Sequence, residues 1–237
     1  MQRIDPNCSV NDLLFCSDKL LGHFLDQTGD FRKVEAASIS IARSLKENSS
    51  KNFFGGAEGT IRNYCKVLSI LFAAVSDYCK LQRITQDESY LAQPREIEKA
   101  WYSYCNCKDR LDFVKPYLAS VEKIPIIVDL NNFRQMIDSL LGLGQYASPE
   151  IAVSKWRCSI CNEQIEMCPH VTGGIYDGKI CRMLPDCITG IMAVAVVDSP
   201  RDLRNRIWPW NFTIDENGQI RFKVRLLTQW DVEDFDD

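Results

Sequence analysis

The strongest constraint on the fold is a short cysteine-rich run, CSICNEQIEMCPHVTGGIYDGKIC, which spans residues 158–181. Cys158 and Cys161 form a C-x2-C knuckle, in which a tight turn lets two thiolates approach one metal ion. Cys168 and His170 follow after a loop short enough to return the chain to that ion. These four side chains predict a tetrahedral Cys3His shell around a structural zinc ion, Zn²⁺, because zinc prefers such donors where it stabilises a fold.

The ligand set stays open, because two further cysteines lie close by in the chain. The turn at residues 176–179 predicts a small hairpin that carries Cys181 back over the site. Cys181 is therefore the substitute for Cys168 or His170, and Cys187 is a further candidate. Spacing alone does not choose among these residues.

The order of the motif is C-x2-C, then C-P-H, then G-x-x-Y-x-G-x-x-C, from Cys158 to Cys181. This pattern resembles a Cys/His zinc-knuckle motif of poorly characterised phage and prokaryotic proteins. The resemblance covers roughly a tenth of the chain at the level of a short motif. It implies a zinc knuckle and a phage or prokaryotic origin, and it implies no activity.

Composition narrows the class of protein. The chain has 237 residues, of which 46% are hydrophobic and 25% charged, and this is the balance of a globular protein. The 11 cysteines are an odd number, so disulfides cannot pair all of them. The start of the chain lacks a signal-peptide pattern, and no apolar run is long enough to span a membrane. We therefore expect a cytoplasmic protein without membrane contact, in which clustered cysteines bind metal.

Residues 1–147 predict a mainly helical domain. Apolar side chains recur at helical spacing in five segments, residues 9–25, 31–45, 60–84, 94–118 and 133–141. The third segment keeps this period over the most turns and predicts the central helix of a bundle. Ile124, Ile126, Ile127 and Val128 are β-branched and predict a strand or an extended linker. Residues 145–149 predict the domain boundary, because Gly, Ser and Pro occur in and just before this segment.

Residues 148–237 predict a small domain with a zinc knuckle and a β-hairpin. The uninterrupted apolar run at residues 191–197 predicts a buried strand. Residues 212–214 and 219–227 flank Asn217-Gly218, a dipeptide that favours a tight hairpin turn. The expected fold class is α+β, with an N-terminal helical bundle followed by a small zinc-containing β-rich domain.

Basic residues near the end of the chain suggest a second kind of site. The candidates for nucleic-acid binding are Arg201, Arg204, Arg206, Arg221, Lys223 and Arg225. Arginines beside indoles grip phosphates and stack on bases, and Trp208 and Trp210 lie within this stretch. The structural alternative is a half-exposed strand with a charged outer face, with both tryptophans in the core. The net charge of −4 argues against a protein whose whole surface binds nucleic acid.

Catalytic residues are hard to find in this sequence. Of the two histidines, His170 is assigned to the metal, and His23 lies beside Phe24 and Leu25, where a packing role is expected. The function that we expect is therefore a non-catalytic accessory or adaptor subunit that acts through protein–protein contacts. The alternatives are a nucleic-acid-binding module that uses the C-terminal arginines and an enzyme with an unrecognised site.

Overall fold

Four α-helices form the first part of the molecule, within the residues that the structure describes. The computed structural model describes residues 30–50, 58–118, 125–214 and 216–222. The α-helices within these ranges are α1 (Phe31–Ser49), α2 (Glu58–Thr85), α3 (Pro94–Val114) and α4 (Ile126–Leu141). The helices predicted around residues 31–45, 60–84 and 94–118 are confirmed. The helix predicted at residues 9–25 lies outside the described part of the chain.

Helix α2 is the central helix of this group, as its apolar period predicts. Every residue from 65 to 77 is buried, so this stretch is enclosed on all sides. Helices α1 and α3 pack on it, and their own apolar faces complete one continuous cluster of buried side chains. A helix with a polar face could not be enclosed in this way, because each unpaired polar side chain would lose its hydrogen bonds to water.

One ion pair is buried inside the helical group. Asp77 of α2 accepts a hydrogen bond from Arg110 of α3, and the two side chains are only 4% and 3% exposed. A buried charge is costly unless an opposite charge and hydrogen bonds compensate for it. The pair therefore sets how α3 lies against α2, since each charged group requires the other nearby.

Helix α4 begins earlier than the sequence predicts. Residues Ile126, Ile127 and Val128 are helical, so the predicted strand or extended linker is wrong there. Ile126 and Leu130 are both buried at helical spacing, and the same face continues through Phe133. Burial of this face against the bundle outweighs the intrinsic β preference of the branched residues.

The chain then changes to β structure. The strands are β1 (Gln145–Val153), β2 (Trp156–Cys158), β3 (Ile175–Tyr176), β4 (Lys179–Ile180), β5 (Met183–Pro185), β6 (Ile188–Val197), β7 (Arg206–Ile207), β8 (Phe212–Ile214) and β9 (Ile220–Phe222). The largest sheet has the antiparallel order β6-β1-β7. Three antiparallel pairs accompany it: β2 with β5, β3 with β4, and β8 with β9. The predicted α+β class is confirmed.

Two predicted β elements have different outcomes. The hairpin around Asn217-Gly218 is confirmed for strands β8 and β9, and Gly218 takes the positive φ of 74° that such a turn requires. Residues 223–227 of the predicted hairpin lie outside the described part. The run at residues 191–197 is a strand, but the prediction of burial is wrong, because most of β6 is exposed.

Trp101 links the helices to the C-terminal part of the chain. Its side chain is fully buried in α3, and its indole N–H donates a hydrogen bond to the carbonyl oxygen of Leu203 at 2.8 Å. Trp208 packs edge-on against it at 5.8 Å, and Trp210 stacks on Trp208 at 5.2 Å.

Residues 145–153 form strand β1, so the predicted division between residues 147 and 148 falls within a strand. The division into two domains stays a prediction.

Within the described ranges, no helix combines the length and the apolar character that crossing a lipid bilayer requires.

We expect Asp77→Ala to destabilise the fold by about 3–5 kcal/mol, because the substitution breaks the buried ion pair with Arg110. Lys108→Ala is the matched control on helix α3, which carries Arg110, since Lys108 pairs with Asp112 where the two side chains are 41% and 60% exposed. That control should cost less than about 1 kcal/mol. Urea unfolding of both variants measures the difference. Similar losses in the two variants would contradict the structural role of the buried pair.

Candidate metal centre

The candidate metal ligands are positioned by a β-strand end and two short turns. Strand β2 ends at Cys158, whose backbone N–H donates to the carbonyl oxygen of Glu163. Asn162 closes the turn after Cys161 with a positive φ of 63°, a conformation that asparagine tolerates better than most residues. A short 3₁₀-helix, Ile165–Met167, then delivers the chain to Cys168. This path returns the second half of the motif to the first.

The four predicted ligands lie together. One ligand atom from each of Cys158, Cys161, Cys168 and His170 falls within 4.8 Å of all the others. The Nδ1 atom of His170 is 3.7 Å from the sulfur of Cys158 and 3.7 Å from that of Cys168. The spacing of the motif thus predicted which side chains converge, and the group is a potential metal site.

The two spare cysteines have different positions. Cys181 follows β4, and its sulfur lies 3.6 Å from that of Cys158. It therefore remains a candidate for the fourth ligand. Cys187 is exposed and does not belong to the group of converging side chains. The predicted hairpin at residues 176–179 is confirmed as the β3–β4 pair, which explains how Cys181 reaches the site.

Backbone N–H groups point at two of the sulfurs. The N–H of Ile160 donates to Cys158 at 3.3 Å, and the N–H of His170 donates to Cys168 at 3.3 Å. Such bonds stabilise negative charge on sulfur, and metal-bound thiolates carry that charge. The local backbone is therefore arranged for thiolates.

The pKa is lowered at Cys158 and raised at Cys168 and Cys181. Burial raises the pKa of the Cys158 thiol. Hydrogen bonds, first those from the N–H groups of Cys161 and Ile160, lower it by a larger amount, so the pKa falls to about 6. Burial raises the pKa of Cys168 to about 11, and the neighbouring Cys158 adds to that rise. For Cys181, burial and then the bond with Cys158 raise the pKa to about 11. One thiolate thus lies among protonated thiols, and a bound cation would replace their protons.

Tyr176 holds the loop that carries His170. The two rings meet edge to face, with centroids 4.6 Å apart. The hydroxyl oxygen of Tyr176 also accepts a hydrogen bond from the N–H of Val171 at 2.9 Å. The imidazole is therefore supported by an aromatic ring from outside the ligand group.

The β3–β4 turn attaches this region to the start of helix α2. Arg62 Nε donates to Asp177 Oδ1 at 2.6 Å. The side-chain amide of Asn63 bridges the hairpin, because its oxygen accepts from the N–H of Gly178 at 2.7 Å and its nitrogen donates to the carbonyl of Ile175 at 3.2 Å. Sequence reasoning missed Arg62 and Asn63, since no local motif connects residues so distant in the chain.

The predicted basic face loses two of its members. Arg204 is buried and donates to Asn106 and to Asp109, at 3.0 Å and 2.8 Å. Burial raises the pKa of Asp109, although the Arg204 guanidinium opposes that rise. Arg206 is also buried, and it donates to Asp138 at 2.9 Å. The expectation that both arginines are free to bind nucleic acid is therefore corrected, because carboxylates of the helices already bind them.

The tryptophans beside these arginines are also engaged. Trp208 is buried, as the structural alternative predicts, and the indole N–H of Trp210 donates to Glu98 at 2.6 Å. Arg201 is exposed. Arg221 lies in β9, and nothing is described of its side chain, while Lys223 and Arg225 lie outside the described residues. Nucleic-acid binding through these remaining residues stays a prediction.

The converging side chains provide three thiols and one imidazole, with a fourth thiol beside them. These donors suit a soft or borderline divalent cation and fill a tetrahedral shell.

Comparison of the chain with protein-family models, with curated proteins and with solved structures finds no significant match.

We expect Cys158→Ser to abolish stoichiometric metal binding, because Cys158 lies at the centre of the ligand group and contacts both His170 and Cys181. Cys187→Ser is the matched control, since that cysteine is exposed outside the group, and it should retain metal. Elemental analysis of the purified, dialysed variants measures the difference. Equal metal content in the two variants would exclude this site.

The tip of the β3–β4 hairpin also lies against the end of helix α1. Gly178 has a φ of +76°, and a Cβ there would overlap the carbonyl oxygen of Ser49. Gly218 has nearly the same φ of +74° but open space around it. Gly218→Ala should cost about 1–2 kcal/mol through backbone strain alone. Gly178→Ala should cost about 3 kcal/mol or more, because the hairpin must also move off the helix.

Urea unfolding of both glycine variants, with metal bound, tests this difference. A loss in Gly178→Ala no larger than that in Gly218→Ala would show that the hairpin tip does not press against helix α1.

Proposed function

We propose that this chain is a non-catalytic adaptor whose C-terminal region is organised by a structural zinc ion and which acts by binding another protein. The observation that carries the proposal is the convergence of Cys158, Cys161, Cys168 and His170 in a group that is attached to the helices. A metal bound there would hold a surface in shape.

Zinc is the metal that fits these donors best. Zinc–sulfur distances of about 2.3 Å and zinc–nitrogen distances of about 2.0–2.1 Å set neighbouring sulfur and nitrogen atoms of a tetrahedral shell about 3.6 Å apart. The distances of 3.7 Å from His170 Nδ1 to the sulfurs of Cys158 and Cys168 are close to that value. Thiolate-rich shells favour zinc over magnesium or calcium, which prefer oxygen ligands.

A structural role is favoured over catalysis by the number of ligands. A catalytic zinc keeps one position open for water or substrate, usually among histidine and carboxylate ligands. Here three cysteines and His170 suffice to close the shell, and Cys181 stands beside them as a further thiol. Chemistry on a metal-bound water has no vacant position in such a shell.

The surface next to the metal ligands supports a role in protein binding. Met167 and Val171 flank the segment from Cys168 to His170, and they are 79% and 69% exposed. Methionine is enriched at protein interfaces, where its flexible side chain adapts to the partner. The metal would present both side chains on a rigid loop, so binding would cost less conformational entropy.

The hairpin contacts link this loop to the rest of the molecule. Arg62 and Asn63 at the start of α2 hold Asp177 and Gly178, which lie between His170 and Cys181 in the chain. A partner bound at the loop would therefore be held in a defined orientation to the helical region. This is what an adaptor requires of its binding surface.

The test is capture of a partner from the native source with the tagged, zinc-loaded protein. We expect a stoichiometric partner to be retained by the wild type and lost with Met167→Asp, because a charge then occupies the exposed apolar surface. Leu140→Asp is the matched control, since Leu140 is an exposed apolar residue of helix α4, and it should retain the partner. Mass spectrometry identifies the captured protein.

Zinc content separates the two parts of this proposal. One equivalent of zinc in wild type and in Met167→Asp, without any captured partner, would contradict the adaptor role and leave the metal assignment intact. A captured partner that is retained equally by Met167→Asp would move the binding surface elsewhere.

A further inference from the structure

Strand β6 is an edge strand that no described strand covers. It pairs with β1 along one side only, because the sheet has the order β6-β1-β7. The backbone N–H and C=O groups of its outer side therefore face away from the sheet. Such an edge is a template for another strand, and natural proteins usually protect it with charged residues, proline or a short length. Strand β6 has ten residues and neither charge nor proline.

The side chains of β6 make this edge unusually apolar. Five large apolar residues are between 46% and 70% exposed: Ile188, Ile191, Met192, Val194 and Val196. Successive side chains of a strand point to opposite faces of a sheet, so these five flank the free edge on both faces. A copy of the same apolar strand added at this edge places apolar side chains beside them and covers part of their exposed surface.

We propose that strand β6 pairs with β6 of a second copy of this chain, antiparallel across a two-fold axis. The two three-stranded sheets then become one continuous sheet. In such an interface the same surface meets itself, so it must be complementary to its own copy. A strand without charge meets this condition in any register, because no like charges come together.

The charge of the chain favours this location for contact between copies. Each copy carries a formal net charge of −4, so two copies repel each other over much of their surfaces. The ten uncharged residues of β6 let the copies meet without placing like charges opposite each other. A nucleic-acid partner is disfavoured at the same place, since the strand has no cation to bind phosphate.

The geometry of the β1–β6 pair limits where the second copy binds. The pairing is regular from Tyr146 opposite Val197 to Glu150 opposite Ala193, and irregularities follow on both sides of Ile151 and Ala152. Bulges increase the local twist and disturb the outer edge for pairing. The contact between copies is therefore centred on residues 193–197, which include Val194 and Val196.

The test measures the mass of the zinc-loaded chain of 237 residues by light scattering over a concentration series. We expect a dimer, with twice the 27.1 kDa mass of the chain. Val194→Lys and, independently, Val196→Lys should weaken the dimer at least tenfold, because the two copies of the lysine then lie diagonally across the axis and repel each other in an otherwise uncharged contact. Leu140→Lys on helix α4 is the matched control, with an exposed apolar residue outside the sheet, and it should remain dimeric.

Hydrogen exchange of residues 193–197 gives a second readout that does not depend on how well a variant folds. In the wild type, these amides should exchange more slowly as the protein concentration rises, because the dimer protects them. A protein that stays monomeric overturns the proposal, whether the amides exchange fast or are protected at every concentration by another segment of the same chain. A dimer that persists in both lysine variants overturns it as well. Zinc content, measured in parallel, reports on the proposed metal site separately.

Discussion

Enclosure of helix α2 is the constraint on which the rest of the molecule depends. Because residues 65–77 are buried on every side, the neighbouring helices must supply both apolar surface and a partner for the buried charge of Asp77. The same helix emerges from the core at its beginning, where Arg62 and Asn63 hold the β3–β4 hairpin. The element that organises the bundle therefore also positions the region of the candidate metal site.

Short-range signals in the sequence predicted the elements that depend only on neighbouring residues. The helical period identified α2, Pro94 marked the start of α3, and Asn217-Gly218 marked the β8–β9 turn. The two errors concern what packs against an element. Ile126 prefers extended structure but is buried on a helical face, and Val194 belongs to a strand that is apolar yet exposed. Neither outcome depends on the residues next to Ile126 or Val194 in the sequence, since both depend on what packs against them in the fold.

In the candidate site too, the sequence predicted the residues that lie close together in the chain and missed those that are distant. Cys158, Cys161, Cys168 and His170 were found from spacing, because a knuckle and a short loop restrict where ligands can lie. The residues that support the site from outside were not, since Asn63 is separated from Gly178 by 115 positions. The basic stretch shows the converse error. Its composition suggests a binding surface, but Arg204 is buried and binds the carboxylate of Asp109 in α3.

The three indoles at the junction of helix α3 and the C-terminal region make the junction visible to spectroscopy. Trp208 and Trp210 are stacked with their planes 6° apart, and Trp208 meets Trp101 nearly at a right angle. Rings held this close in fixed orientations couple their electronic transitions, so they give a circular dichroism signal in the near ultraviolet that mobile indoles lack. The chain thus contains its own optical reporter of whether the C-terminal region remains packed on the helices.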